Sequence, residues 1–366
     1  MAARPVGWPP ITINCLVGMS SADYTGSAEP QTRVSTEITL GDGEIMRTLV
    51  LTRKDVEDIA TLELAVDAVE RAFAAFGRGE GSMPPKVYLP IDDHQGDFRA
   101  MPARLGDSAG IKWVNVHRRN RKDYGLPTVM AVYVLSDPVN AFPLAIMDGT
   151  LLTALRTGAA GAVASKYLAP SQPTTISFIG AGVQARTLHD AHRVIYQDFQ
   201  PLAHDRNHDT AKRFADEVGA RVVSLEEAAG ADIVCTATPS RVPFLQAQWI
   251  RPGAHINAIG ADAPGKRELS TETLKGAAVY IDDIHQATAS GEINVPFAEG
   301  DFTSDDIAGT LGEVVAGVLP RPDATVTTVF DSTGLAVQDV SLARAIYDAA
   351  RSRSVGHEVD LVGFEP

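Results

Sequence analysis

Gly180-Ala-Gly-Val-Gln-Ala185 follows the apolar run Thr174–Ile179 and opens a helical pattern. This is G-x-G-x-x-A between a strand and a helix, the setting in which such a turn cradles a pyrophosphate. Gly180 permits the tight turn, Gly182 lets the backbone approach phosphate, and Ala185 lets the helix pack on the strand, while the helix N-terminus adds positive potential. The bland alternative is a tight turn with no ligand. Asp205 ends the following strand, where a carboxylate accepts hydrogen bonds from ribose hydroxyls and repels a 2′-phosphate. NAD is therefore expected over NADP, although Arg206 next to it is the kind of residue that accommodates that phosphate.

Asp262 is the second chemical candidate. It lies in Asn257-Ala-Ile-Gly-Ala-Asp-Ala-Pro-Gly-Lys266, after the strand His255–Ile259. Ligands of open α/β sheets sit beyond the carboxyl ends of strands, so Gly260 is read as allowing close backbone approach and Asp262 as the first ionisable group past it. A partly desolvated carboxylate suits proton movement at a substrate nitrogen; the competing reading is an Asx-type turn before Ala-Pro-Gly.

Lys86, Arg99, Arg104 and Lys112 gather positive charge into one stretch of a chain whose net charge is −14. They are either a clamp for a carboxylate or a solvated basic edge. Lys112 interrupts the apolar strand Gly-Ile-Lys-Trp-Val-Asn115, which makes it an edge-strand gatekeeper or a ligand-facing group. Arg156, near the start of an Ala-rich helix, reaches cofactor phosphate or substrate, or forms an internal ion pair. The histidines are not at metal-ligand spacing, and no metal is expected.

The elements that must position these residues follow from periodicity. Thr52 and Asp55 resemble a capping box, and Leu62–Phe76 has helical spacing. From Lys86 to Met147 the pattern is β-like, in Val87–Leu89, Ile111–Val116, Val129–Leu135 and Phe142–Met147, and Thr150–Leu168 reads as a helix. After Pro173, strands and helices alternate, which implies right-handed crossovers and a parallel sheet. The tail from Thr325 has one strand-like run, a Ser-Thr-Gly turn and a helix through Ala350.

With 366 residues, 45% of them apolar and 21% charged, the chain has material for two cooperating lobes. Its negative charge argues against nucleic acid, and no apolar run reaches the roughly 18 residues of a membrane span. Residues 1–45 carry no secretory pattern and read as a disordered extension. Cys15 and Cys235 give no disulfide framework, and a reducing cytoplasm is the expected compartment.

Taken in order, Met-Pro-Pro-Lys86, Asp-Phe-Arg99-Ala-Met-Pro, Gly-Ile-Lys112-Trp-Val-Asn-Val-His117, Gly-Leu-Pro-Thr128, Thr-Ala-Leu-Arg156-Thr-Gly, Gly-Ala-Gly-Val-Gln184, Asn-Ala-Ile-Gly-Ala-Asp262 and Phe-Asp331-Ser332-Thr333-Gly resemble the ornithine cyclodeaminase/μ-crystallin family. The resemblance implies an α/β protein in which a Rossmann dinucleotide-binding domain (172–310) is inserted into an α+β substrate-binding and dimerisation domain (46–171 plus 311–366). It implies a homodimer acting on a small amino or imino acid. It places Asp262 as acid/base, with Lys112 beside it at the substrate. Lys86, Arg99 and Thr333 join Lys112 on the substrate side. Thr128, Arg156, Gly180, Gly182, Val183, Gln184, Asp205, Arg206, Thr236, Ile259, Gly260, Lys266 and Ser332 are the cofactor-side candidates. Lys at position 86, with Arg99, resembles the alanine dehydrogenase/imine reductase branch. A cyclodeaminase that uses NAD catalytically, and a non-catalytic crystallin-like binding protein, are the competing expectations. Removing residues 1–45 should leave activity and thermal midpoint nearly unchanged in a turnover assay and a melt, because that composition buries too little apolar area to offset chain entropy.

Overall fold

The computed structural model describes residues 46–363, so the expected extension over 1–45 lies outside the described residues. The chain first lays down β1 (Thr48–Leu51), β2 (Gly81–Ser82), β3 (Val87–Ile91), β4 (Gly96–Leu105), β5 (Ser108–His117), β6 (Val129–Ser136) and β7 (Pro143–Asp148). It continues with β8 (Thr175–Ile179), β9 (Gln200–His204), β10 (Arg221–Val222), β11 (Ile233–Thr236), β12 (His255–Ala258), β13 (Ala278–Ile281), β14 (Ile307–Thr310) and β15 (Thr328–Asp331), and ends on β16 (His357–Val359).

One sheet runs β16-β1-β7-β6-β5-β4-β2, with β3 also on β4; β1 is parallel to β7 and its other pairings are antiparallel. The second runs β10-β9-β8-β11-β12-β15-β13-β14, and every neighbouring pair in it is parallel. From β8 the chain steps outward to β9 and β10, then returns to the other side for β11 and β12. This is the Rossmann order, and its reversal opens a crevice at the carboxyl ends of β8 and β11. Residues 328–331, which the sequence division gives to the flanking lobe, form β15 between β12 and β13. A short buried strand of a parallel sheet is an apolar run, and such a run does not say which sheet receives it.

β4 is the long strand that periodicity hides. Gly96, Asp97, Arg99 and Pro102 are poor strand formers, yet β4 pairs with β5 along its whole length. Pro102 falls between the stretch that pairs with β3 (Gly96–Ala100) and the stretch that pairs with β2 (Arg104–Leu105), where one flank of the strand has no partner.

The helix Gly149–Leu168 lies between the sheets and is buried on nearly every face. Asp148 caps it, accepting from the N–H groups of Thr150 and Leu151. Its small residues let it approach the helix Val183–Ile195 closely; a Cβ at Gly158 would collide with the Thr187 backbone. A buried polar seam joins this helix to the second sheet. Asn257 Nδ2 donates to Ser165 Oγ (2.8 Å), which contacts His192 Nε2 (2.9 Å), while His255 bridges Asn257 (3.1 Å) and Thr328 (2.8 Å). Burial pulls His192 down to about 4 and His255 to about 3, so both are neutral members of the seam.

Buried carboxylates tie the strand ends together. Asp331 accepts from the N–H groups of Glu292 (2.7 Å) and Ile293 (3.2 Å), and Glu292 accepts from those of Glu268 (2.7 Å) and Leu269 (2.6 Å). Glu268 in turn takes the Thr236 hydroxyl (2.7 Å) and the N–H groups of Thr238 (2.6 Å) and Gly260 (2.9 Å). The second oxygen of Glu292 has no hydrogen-bond partner. Burial pushes Glu292 well above the ordinary carboxylate range, and Glu268 and Asp331 push it further. A carboxyl group raised in this way contributes stability that is full below its unfolded pKa and is lost as pH rises through its folded one. Glu292→Gln keeps the accepting oxygen and cannot ionise. Thermal melts should show little change at about pH 5 and a rise of a few degrees at about pH 8.

Candidate active site

β8 delivers Gly180 with φ +93°, and a Cβ there would stand 2.7 Å from the Ala237 carbonyl oxygen, so only glycine suits the turn. Gly182 caps the helix Val183–Ile195, and nothing lies within 4 Å of where its Cβ would be. Val183 is 68% exposed at the helix start, and Gln184 is half-buried. Asp205, just past β9, has one oxygen on the Ala181 N–H (2.9 Å) and the other on that of Asn207 (2.7 Å). The carboxylate therefore braces the glycine turn and keeps further lone pairs for a ribose. Arg206 is exposed beside it. An open cradle, a helix N-terminus and an acidic strand end fit a dinucleotide.

Three of the other cofactor-side candidates, Thr236, Ile259 and Gly260, are taken up by internal packing. The Thr236 hydroxyl is spent on Glu268, and Ile259 packs in the core. A Cβ at Gly260 would strike the Thr238 carbonyl and the Glu268 carboxylate, so internal packing already requires this glycine. Ser332 is buried, with its N–H on the Ala258 carbonyl (3.0 Å), and the Thr128 carbonyl receives the His117 N–H (2.8 Å).

The predicted cations converge on the carboxyl ends of β12, β13 and β15. Arg99, on the inner face of β4, places Nε and Nη2 on Asp97 (2.6 and 3.2 Å) and Nη1 3.3 Å from Asp262. Lys266 binds the other oxygen of Asp262. That carboxylate thus goes to two cations rather than to the backbone of its own loop, unlike an Asx turn. Burial works to raise the Asp262 pKa, but Lys266 and Arg99 outweigh it and hold the group at about 2. Lys86 donates to the Thr333 carbonyl, and burial brings its ammonium down to about 8 against the attraction of Asp282. Asp282 fixes that loop by accepting from the Thr333 hydroxyl and from the N–H groups of Thr333 (2.6 Å) and Gly334 (2.8 Å). β5 has neighbours on both sides, which removes the gatekeeper reading of Lys112. Its side chain points inward to both oxygens of Asp339, each 2.8 Å from Nζ, and Arg156 Nε reaches the same carboxylate at 3.1 Å. Arg104 is exposed, away from this cluster.

Residues 46–354 match the Ornithine cyclodeaminase/mu-crystallin family. The chain belongs to that family. It is 46% identical to the alanine dehydrogenase of Archaeoglobus fulgidus over 320 residues, 86% of this chain and 98% of the relative. Among solved structures, an archaeal alanine dehydrogenase dimer with bound NAD superposes with a TM-score of 0.84 at 46% identity, covering 86% of this chain and all of that one. The Thermococcus litoralis Delta(1)-pyrroline-2-carboxylate reductase, in complex with NADH and L-proline, gives 0.80 at 35% identity, covering 85% of this chain and all of that one.

Sequence reasoning about this family member missed Asp339, Asp282 and Glu268. Asp339 alone left a trace, because Gln338 and Asp339 break the apolar run Leu335-Ala-Val-Gln-Asp-Val at the start of a helix. Asp205→Ala removes both the ribose acceptor and the brace on Ala181. It should weaken NADH binding by roughly ten- to a hundredfold in a fluorescence titration and leave NADPH binding similar or better.

Proposed function

We propose that the chain catalyses NAD-dependent oxidation–reduction at the Cα–N bond of a small amino or imino acid, in the manner of an alanine dehydrogenase or imine reductase. The observation that carries this reading is the cluster of Lys86, Arg99, Asp262 and Lys266 at the mouths of the Rossmann strands. The names of the similar proteins support it. The cofactor is NAD, held by the Gly180–Gln184 turn and Asp205. When bound, it supplies the two-electron acceptor or donor.

The protein's own groups do the rest. Lys86, Arg99 and Lys112 supply positive charge for the substrate carboxylate. Asp262, which Arg99 and Lys266 keep ionised at the expense of its basicity, is the carboxylate that takes a proton from the substrate nitrogen in the oxidative direction. A diamino acid would bring a second ammonium, and Asp97, the carboxylate in that stretch, has both oxygens on Arg99. This disfavours cyclodeamination. A homodimer is part of the proposal, since Phe98, Ile111, Trp113 and Val132 form an apolar band on the outer face of the first sheet, with Phe98 stacked on Trp113 at 5.2 Å. No helix among the described residues is long and apolar enough to cross a membrane.

The test is a panel of 2-oxo acids with ammonia, cyclic imino acids and diamino acids, followed at the NADH absorbance. Net NADH consumption with the first two classes is expected. Ammonia release from a diamino acid without net NADH change would replace this reading with cyclodeamination. Asp262→Asn should still bind NADH but lose about 10²–10⁴-fold in turnover. Retention of most activity would show that the proton travels through another group.

A further inference from the structure

Lys112 is the only lysine on the inner face of the central strands β4, β5 and β6, and its side chain is 1% exposed. The charged and titratable groups around it come from four elements. Asp339 comes from the helix Ala336–Arg353, Arg156 from the helix Gly149–Leu168, Lys86 from the segment before β3, and Tyr133 from β6. Tyr133 is Lys112's partner in register, and its buried hydroxyl has no hydrogen bond. Of these groups Asp339 is the one anion. It is wholly buried, and it binds both Lys112 and Arg156. Two buried cations repel each other and are each disfavoured by desolvation, so the arrangement stands only with a carboxylate between them. The triad also adjoins the loop after β15. Arg156 packs against Gly334, and Lys86 reaches the carbonyl of Thr333 next to it.

We infer that Asp339 is a positioning residue whose carboxylate holds the Lys112 ammonium and the Arg156 guanidinium together, and charged, beneath the substrate. That the pair meets a substrate carboxylate rests on the proposed function; that Asp339 organises the pair does not. Asp339 touches no reacting atom and acts through Lys112. Burial, with Arg156 beside it, already draws Lys112 down to about 7 against the attraction of Asp339, so loss of the carboxylate lowers it further.

The experiment uses the full-length protein with Asp339→Asn, Lys112→Met and the double variant. Asp339→Asn should lower the thermal midpoint by on the order of 10 °C at about pH 6. The uncompensated Lys112 would then have a depressed folded pKa, so the unfolded chain binds more protons and stability rises with pH. The deficit should therefore shrink as pH rises toward about 7 and level off above it, where Lys112 is neutral in the wild type as well. Adding Lys112→Met removes one of the two stranded cations and should recover part of the loss, so the two substitutions are non-additive. If Asp339→Asn does not fold, the double variant should still give a cooperative melt, below that of Lys112→Met because Arg156 stays unpaired, and its failure to fold would overturn the inference. In turnover, with L-alanine and NAD as the probe, Asp339→Asn should raise KM for the amino acid by roughly tenfold or more and leave NADH binding unchanged. The alkaline limb of its pH profile should begin at lower pH than in the wild type. Additive losses of midpoint, or an unmoved alkaline limb, would overturn the inference and reduce Asp339 to a packing residue. A wild type inactive with every member of the substrate panel would instead overturn the proposed function, and the thermal cycle would still decide on Asp339.

Discussion

Placing a lysine on the inner face of a central strand exposes its ammonium to a medium that disfavours charge. The first sheet meets this constraint with a carboxylate from the far end of the chain, since Lys112 is in β5 and Asp339 in the last helix. The pairing recurs across the cleft. Arg99 lies between Asp97 and Asp262, and Lys86 lies near Asp282. Lys86, Arg99, Lys112 and Arg156 each meet an anion from a distant part of the chain, so the site forms only when the tail helix and both sheets have met. Such pairs add little net stability over apolar packing, and their value lies in fixing where the charges stand.

On the cofactor side the organising groups are carboxylates that face backbone N–H groups rather than cations. Asp331, Glu292 and Glu268 join the ends of β15, β11 and β12. Asp205 does the same for the glycine turn, and Asp282 combines both duties, accepting from the loop at Thr333 while it faces Lys86. Loop ends in open α/β sheets carry unpaired backbone donors, and a buried acid can satisfy two or three of them at once. This explains why Thr236 and Gly260 turn toward Glu268 although their positions in the chain suggest contact with a ligand.

The parallel sheet was largely legible because its strands are short apolar runs between amphipathic helices. The Rossmann turn was legible because three small residues stood in a strand–turn–helix setting. β4 was hidden because Asp97 and Arg99 occupy places where a strand would otherwise carry β-branched side chains. Lys112 stood out as a charge in an apolar strand, whereas its partner Asp339 lies 227 residues away, and no local pattern connects the two. Spacing can nominate a residue for a cleft; the direction in which it points depends on long-range packing, as Ile259 illustrates.

The polar seam through Ser165, His192, Asn257, His255 and Thr328 bears on how a reactant gets in. A hinge that swung the second sheet away from the central helix would strip the buried hydrogen bonds of Asn257 to Ser165 and of Thr328 to the Leu168 carbonyl. The second sheet is in effect riveted to that helix. Lifting the second sheet off this helix is therefore a costly way to open the cleft, and the cheaper movement is at its rim, in the side chains of Lys86 and Arg99 and the loop bearing Asp262.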